Sequence, residues 1–409
     1  MDVSQTVRTC EDQIIRWRRE FHEHPELAYR EEWTSGRIQE ELKKLGIPFD
    51  LVKTIKPKEV WTPFGVPPEA VDKPLGIVGR LQGTGKGPGK KFALRADIDA
   101  LPMQEETTVP FKSKIDGAMH SCGHDAHAAM LLGAAKALSE HRDAFSGTIY
   151  LCFQCAEEIA GGAAEIVKYL KDKGGVDGVA ALHVFANIPA GKICLKPGPM
   201  MAGLFPFVID IKGQGGHGSR PDLSRDPIKP AADLILKLSS IPSNFYEVFG
   251  DSVVHVCEVH GGTAHNIFPD TAMLSGAVRF FKKKGNVKLL KVIRRIVKGV
   301  GETYNVDVDF KEVLVLGPVI NNADFIRRAR TVVPGIPGLS ILELADPFAG
   351  SDDFSEFLDT FPGFYGILGV ANEAKGIKWE QHNSHFDMDE SALVKGSEFL
   401  CRCALEFAK

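Results

Sequence analysis

The stretch from Lys91 to Ala156 opens with KFALRADID (91–99), passes through MHSCGHDAHAAM (119–130) and closes with GTIYLCFQCA (147–156). The apolar runs at either end read as strands, and the small-residue segment from His124 to Leu138 reads as a helix between them. Strand, helix and strand in that order predict a layered α/β architecture. The middle of the stretch gathers His120, Cys122, His124, Asp125 and His127. Three readings are open for it: a metal site, a thiol nucleophile with its base, or a polar helix entrance.

On the N-terminal side, VRTCEDQIIRWRREFHEHPE (7–26) reads as one amphipathic helix ended by Pro25, with His22 and His24 as helix-end residues and not ligands. EEWTSGRIQEELKKLGI (31–47) reads as a second helix, closed by Gly46. Residues 55–91, rich in Pro, Gly and Lys, predict surface loops around one strand, LGIVGRL (75–81). On the C-terminal side, a helix closed by Gly174 and Gly175 precedes the strand VDGVAALHVF (176–185). The pattern changes near residue 200. FPFVIDIKGQ, SVVHVCEVHGG and TAMLSGAVRFF predict strands, while DPIKPAADLILKLSSI and NVKLLKVIRRIVKGVGETY predict helices. The simplest organisation is a split α/β domain, residues 1–201 and 318–409, a central sheet flanked by helices, interrupted by a smaller α+β unit at 202–317.

Composition narrows the function classes. The 49 basic and 53 acidic residues give a net charge of -4, which opposes a nucleic-acid or polybasic membrane binder. No apolar run approaches the roughly 18 residues of a membrane span. The N-terminus lacks an apolar signal core, so a cytoplasmic protein is expected. Eight cysteines are scattered along the chain, unlike a disulfide framework. Cys152 and Cys155 form a C-x-x-C within a strand pattern, where residues three apart face opposite ways; buried structural cysteines are expected.

Metal sites need several imidazole, carboxylate or thiolate groups on rigid elements. Four places offer them: Cys122 and His124 before a helix, Glu157 and Glu158 after a strand, His183 inside a strand, and His382 with His385 near the C-terminus. RADIDALPMQE (95–105), MHSCGHD (119–125), AEE (156–158), LHV (182–184), GGHGS (215–219), HNIFPD (265–270) and HNSHFD (382–387) follow one another in order. This series resembles the M20 family of metallopeptidases, above all its N-acyl-amino-acid amidohydrolases, which include hippurate hydrolases and hydrolases of auxin–amino-acid conjugates.

The resemblance implies two divalent metal ions per subunit, zinc or manganese, with cobalt also admissible. It makes Cys122, His124, Glu158, His183 and His382 the metal ligands and Glu157 the general base. It places Asp97 behind the ligands, puts Arg95 where many relatives carry a ligand histidine, and leaves His385, His120 and His127 outside the ligand set. It makes the inserted unit a lid and the dimerisation surface of a homodimer, with His217, Asn266, Arg279 and Gly350 holding a small-molecule N-acyl amino acid. The implied reaction is hydrolysis of that substrate's amide bond. The alternatives are an aminohydrolase acting on an aromatic amine, a dipeptidase on the same fold, and a non-catalytic metal-dependent binding protein.

Overall fold

The computed structural model describes residues 2–56, 71–245 and 251–409. Residues 57–70 of the expected loop region lie outside it. The chain divides into two compact units. The larger comprises Met1–Met200, Ile320–Asp346 and Asp353–Lys409; the smaller comprises Met201–Val319 and Pro347–Asp352.

The larger unit is built on a mixed eight-stranded sheet. Its strands run in the order Phe49–Lys56, Val71–Gln82, Thr148–Gln154, Lys91–Asp97, Gly178–Pro189, Gly363–Ala371, Lys192–Cys194 and Ser340–Ile341. The four in the middle, from Thr148–Gln154 to Gly363–Ala371, are mutually parallel. Their side chains are almost wholly buried, which accounts for near-continuous apolar sequence instead of alternation. Cys152 is buried in its strand, while Cys155 lies one residue past the strand end, its Sγ 2.6 Å from Thr54 Oγ1. The single N-terminal helix expected from the sequence is two, Val3–Thr9 and Glu11–Glu23, joined at Cys10. Asp2 caps the first through Gln5 N–H, and Val3, Val7, Ile14 and Trp17 reach the core from the two helices.

The helix His124–Glu140 is buried on nearly every side. It packs against the Lys91–Asp97 strand and the helices Glu11–Glu23 and Leu393–Phe407. Its alanines permit that crowding, and glycines permit the closest approaches. A Cβ on Gly396 would overlap Met130 Sδ, and one on Gly133 would stand 2.7 Å from both Ile14 Cδ1 and Ser397 Oγ.

The smaller unit is a four-stranded antiparallel sheet in the order Ser252–Gly261, Thr271–Phe280, Gly203–Lys212 and Asp307–Glu312. Phe205, Phe207, Ile209 and Ile211 alternate inward and meet Leu234, Leu238, Leu289 and Ile293 from the helices Ile228–Ser239 and Gly285–Tyr304. One apolar face covered by two helices closes a core of its own.

These packing observations make a paired prediction. Gly396→Val should destabilise the protein by about 1–3 kcal/mol through overpacking. Gly36→Ala, inside the helix Glu32–Lys44 with nothing within 4 Å of a new Cβ, should stabilise it by up to about 1 kcal/mol. Urea unfolding of the two variants, read by fluorescence, checks the opposite signs.

Candidate metal centre

The carboxyl ends of the central parallel strands carry the chemistry, as open α/β sheets favour. Asp97 ends one strand. Gln154 ends the next, and the chain turns through Ala156 (φ 58) into the short helical turn Glu157–Ile159. His183 sits within Gly178–Pro189. Cys122 and His124 flank Gly123, which caps the buried helix with φ 95. A Cβ there would overlap Val184 Cγ2, so glycine is needed both for the backbone angle and for the space. His382 also has positive φ, at 62°, a strained conformation for a non-glycine residue. It is pinned by its N–H, which donates to Ser121 O at 2.8 Å.

These segments bring the expected ligands together. Cys122, Glu158 and His382 offer donor atoms within 4.8 Å of one another; so do His124, Glu157 and Glu158, and so do Asp97, His124, His127 and His183. Cys122 Sγ lies 3.5 Å from His183 Nε2, and His382 Nε2 lies 3.5 Å from Glu158 Oε1. The imidazoles are oriented from behind. His124 Nδ1 donates to Asp99 O at 2.9 Å, and His183 Nδ1 donates to Val184 O at 2.7 Å. Each Nε2 lone pair therefore faces the cluster.

His127 uses both its nitrogens elsewhere, Nδ1 toward Asp97 Oδ1 at 2.5 Å and Nε2 accepting from Val184 N–H at 2.9 Å. Arg95 is likewise occupied, by Asp97 Oδ2 at 2.5 Å, Gln154 Oε1 at 2.9 Å and Asp353 Oδ1 at 2.8 Å. His22 is buried between Asp125 and Glu105, and His385 lies 3.6 Å from Glu106.

The electrostatics of the cluster suit a cation. Burial and the carboxylates of Glu158, Glu157 and Asp97 push the Cys122 thiol well above its ordinary value. Burial also pushes Glu158 up to about 7, although His124 pulls it down. Burial alone would lower His124, but Asp97, Asp99 and Glu158 outweigh it and raise it to about 10. Burial would raise Asp97, yet Arg95, His124 and His127 hold it well below the usual carboxylate range. His124 Nε2 and Glu158 Oε1 are buried with no hydrogen-bond partner. Orphaned donor atoms converging with a thiol and further carboxylates fit a divalent metal. They do not fit a cysteine nucleophile, which needs a depressed thiol pKa.

In the smaller unit, His217 and Asn266 are neighbours on a two-stranded ribbon: His217 pairs with Ile267, and Gly218 N–H donates to Asn266 O at 2.8 Å. Both are exposed. Arg279 Nη1 donates to Ala349 O at 2.6 Å and to Ser351 Oγ at 3.1 Å, which brings it beside Gly350.

Comparison with known proteins shows the family. Residues 93–406 match the model of peptidase family M20/M25/M40. The chain belongs to the M20 family. Thermostable carboxypeptidase 2 of Saccharolobus solfataricus is 36% identical over 98% of this chain and 97% of its own length. The N-acetylcysteine deacetylase of Bacillus subtilis is 34% identical over 96% of each. The crystal structure of Bacillus subtilis YXEP, described as a dinuclear metal binding peptidase from the M20 family, superposes with a TM-score of 0.79 at 32% identity, covering 97% of this chain and 98% of that one. This M20 protein is a metal-dependent hydrolase of amide bonds. Among its described residues no helix is long and apolar enough to cross a membrane.

Asp99 was not singled out by the sequence, because it touches the centre through hydrogen bonds alone. Its Oδ1 lies 3.2 Å from His124 Nδ1, and its Oδ2 accepts from Glu158 N–H at 3.0 Å. Its place two residues after Asp97 in the RADID motif was the available signal. Asp99→Ala should weaken metal binding by roughly 10–100-fold, as loss of a ligand's supporting partner does. Competition with a chromogenic chelator measures this directly.

Proposed function

We propose that this M20 hydrolase cleaves the amide bond of N-acyl amino acids, with an acetyl, benzoyl, indoleacetyl or similar acyl group, and that Glu157 is its general base. The observation that carries the reading is the difference between adjacent glutamates. Glu158 Oε1 is buried among the metal-type donors, 3.5 Å from His382 Nε2. Glu157 Oε2 and Glu158 Oε1 both stand 3.9 Å from His124 Nε2, so the contact with His382 is what sets Glu158 apart. This supports reading Glu158 as the metal ligand and Glu157 as the carboxylate that works beside it.

Cys122, His124, Glu158, His183 and His382 would hold two divalent ions, zinc or manganese. When bound, such ions supply Lewis acidity toward a water and toward the substrate carbonyl. Glu157 takes the proton of the attacking water and later delivers it to the leaving amine. His217 and Asn266 would hold the carbonyl oxygen as it gains charge, and Arg279 the substrate carboxylate. The protein would act as a homodimer formed through the smaller unit, with His217 serving the partner's centre. The edge strand Ser252–Gly261 supports that surface, since it pairs on one side only and exposes Val253 and Val259.

The relatives' names favour one competing reading, a carboxypeptidase acting on a peptide bond, which joins the dipeptidase alternative. A release assay on N-acetyl, N-benzoyl and N-indoleacetyl amino acids, an aromatic amine substrate, a dipeptide and an N-acyl dipeptide separates the two. The highest kcat/KM should fall on a simple N-acyl amino acid; a clear preference for the dipeptide would replace this reading.

Glu157→Gln should lower kcat by at least about 10²–10⁴-fold while metal content stays near wild type. Glu158→Gln should lose metal first and regain part of its activity in excess metal. The opposite pattern, by metal analysis and kinetics together, would reverse the two roles. Mixing inactive His217→Ala with inactive Glu157→Gln should restore part of the activity in exchanged heterodimers. No recovery despite proven subunit exchange would remove His217 from the partner's centre.

A further inference from the structure

We infer that Glu31 is a positioning residue for Glu157, acting through the backbone of Ala156; this rests on the reading of Glu157 as general base. Glu31 is fully buried, just before the helix Glu32–Lys44. Its Oε1 accepts from Ala156 N–H at 2.8 Å across 125 residues of sequence. Glu31 belongs to no group of metal-type donors among the described residues; it faces the Asp99 carboxylate electrostatically, and its hydrogen bond to the loop that carries Glu157 is the one to Ala156 N–H.

The peptide is one that needs holding. Ala156 adopts φ 58, a left-handed conformation costing roughly 1–2 kcal/mol for an alanine. Such a conformation persists only where its surroundings fix it. Ala156 O accepts from Gly161 N–H at 2.7 Å, and Glu157 O accepts from Ala160 N–H at 2.7 Å, closing the turn on itself. Beyond Glu157, Glu158 N–H donates to Asp99 Oδ2 at 3.0 Å. The amide before Glu157 and the amide after it are thus each held by a buried carboxyl group. The Glu157 backbone is fixed from both sides.

Removing the Glu31 acceptor would leave a buried N–H without a partner, a state the turn can escape by relaxing Ala156 out of the left-handed region. Glu157 would move with it. Glu158 would keep its Asp99 bond, so metal should remain. Glu31 Oε2 has no hydrogen-bond partner, so an amide nitrogen in its place breaks no existing bond. Glutamine should therefore substitute where leucine cannot.

The test compares Glu31→Leu, Glu31→Gln and Glu157→Gln as full-length, metal-loaded proteins, with metal content, thermal midpoint, kcat and KM measured on the preferred substrate. Glu31→Leu should lose roughly 10–100-fold in kcat, the scale of a displaced catalytic group, with KM and metal content little changed. Glu31→Gln should return kcat to near wild type. If Glu31→Leu does not fold, Glu31→Asp replaces it, since the shorter side chain withdraws the acceptor and should show the same loss. Unchanged kcat in folded Glu31→Leu or Glu31→Asp overturns the inference. So does loss of metal together with kcat, or a Glu31→Gln variant as impaired as Glu31→Leu. A fully active Glu157→Gln sinks the general-base reading itself, whereas an inactive Glu157→Gln beside a fully active Glu31→Leu sinks only the role of Glu31.

Discussion

Asp97, Asp99, Glu157 and Glu158 meet at the carboxyl ends of the central strands, nearly all out of water, with the Cys122 thiol among them. Desolvating a carboxylate costs several kcal/mol unless a partner compensates it, so their joint burial constrains everything nearby. Arg95 and His127 compensate Asp97, and His124 compensates Asp99. Among the described residues Glu158 has only the imidazoles of His124 at 3.9 Å and His382 at 3.5 Å, and both it and Cys122 shift toward their protonated forms. A divalent ion held there would oppose that shift, so a metal would serve the electrostatics of the fold as well as the reaction.

The same requirement extends behind the centre. Arg18 is fully buried and faces three carboxylates: Asp125 at 3.0 Å, Glu390 at 3.3 Å and Asp387 at 3.6 Å. Asp125 directly follows the ligand-type His124, and Asp387 lies on the segment that carries His382. One guanidinium thus ties together two ligand-bearing segments distant in sequence. Breaking such a pair from one side strands a buried charge and costs about 3–5 kcal/mol. His22, between Asp125 and Glu105, extends the network into the N-terminal helix. Both its ring nitrogens are turned to carboxylates, Nδ1 to Asp125 at 2.7 Å and Nε2 to Glu105 at 3.3 Å.

Much of this was legible in the sequence, and the exceptions share a cause. Near-continuous apolar runs gave the central strands, and Cys122, Glu158 and His183, picked out as donor types, do come close together in the structure. The break at Cys10 was not legible, because the apolar spacing of the first two helices continues across it while the backbone does not. Glu31 and Asp99 were missed because they act on peptide N–H groups, which leave no side-chain pattern to read. Gly350 was expected with the C-terminal part of the larger domain. Residues Pro347–Asp352 instead go with the smaller unit, where Ala202 N–H donates to Gly350 O at 2.9 Å. A bond between positions so far apart in the chain has no local signature.

Arg95 shows how a buried cation can brace such a centre without binding metal. A histidine at that position could donate a lone pair to a metal; a guanidinium has none to give. Its planar fork instead reaches Asp97, Gln154 and Asp353 at once, which a lysine's single ammonium would do less well. Gln154 continues the chain of contacts, donating to Asp353 Oδ2 at 2.7 Å and to Gly161 O at 3.0 Å. The strand end that bears Asp97 is thereby fastened to the loop that bears Glu157 and Glu158. Arg95 is thus a brace and not a donor, and the soft donor atom of the centre is the Cys122 sulfur, 3.5 Å from His183 Nε2 and grouped with Glu158 and His382. Buried among carboxylates, that thiol would ionise and bind strongly only with a divalent cation beside it.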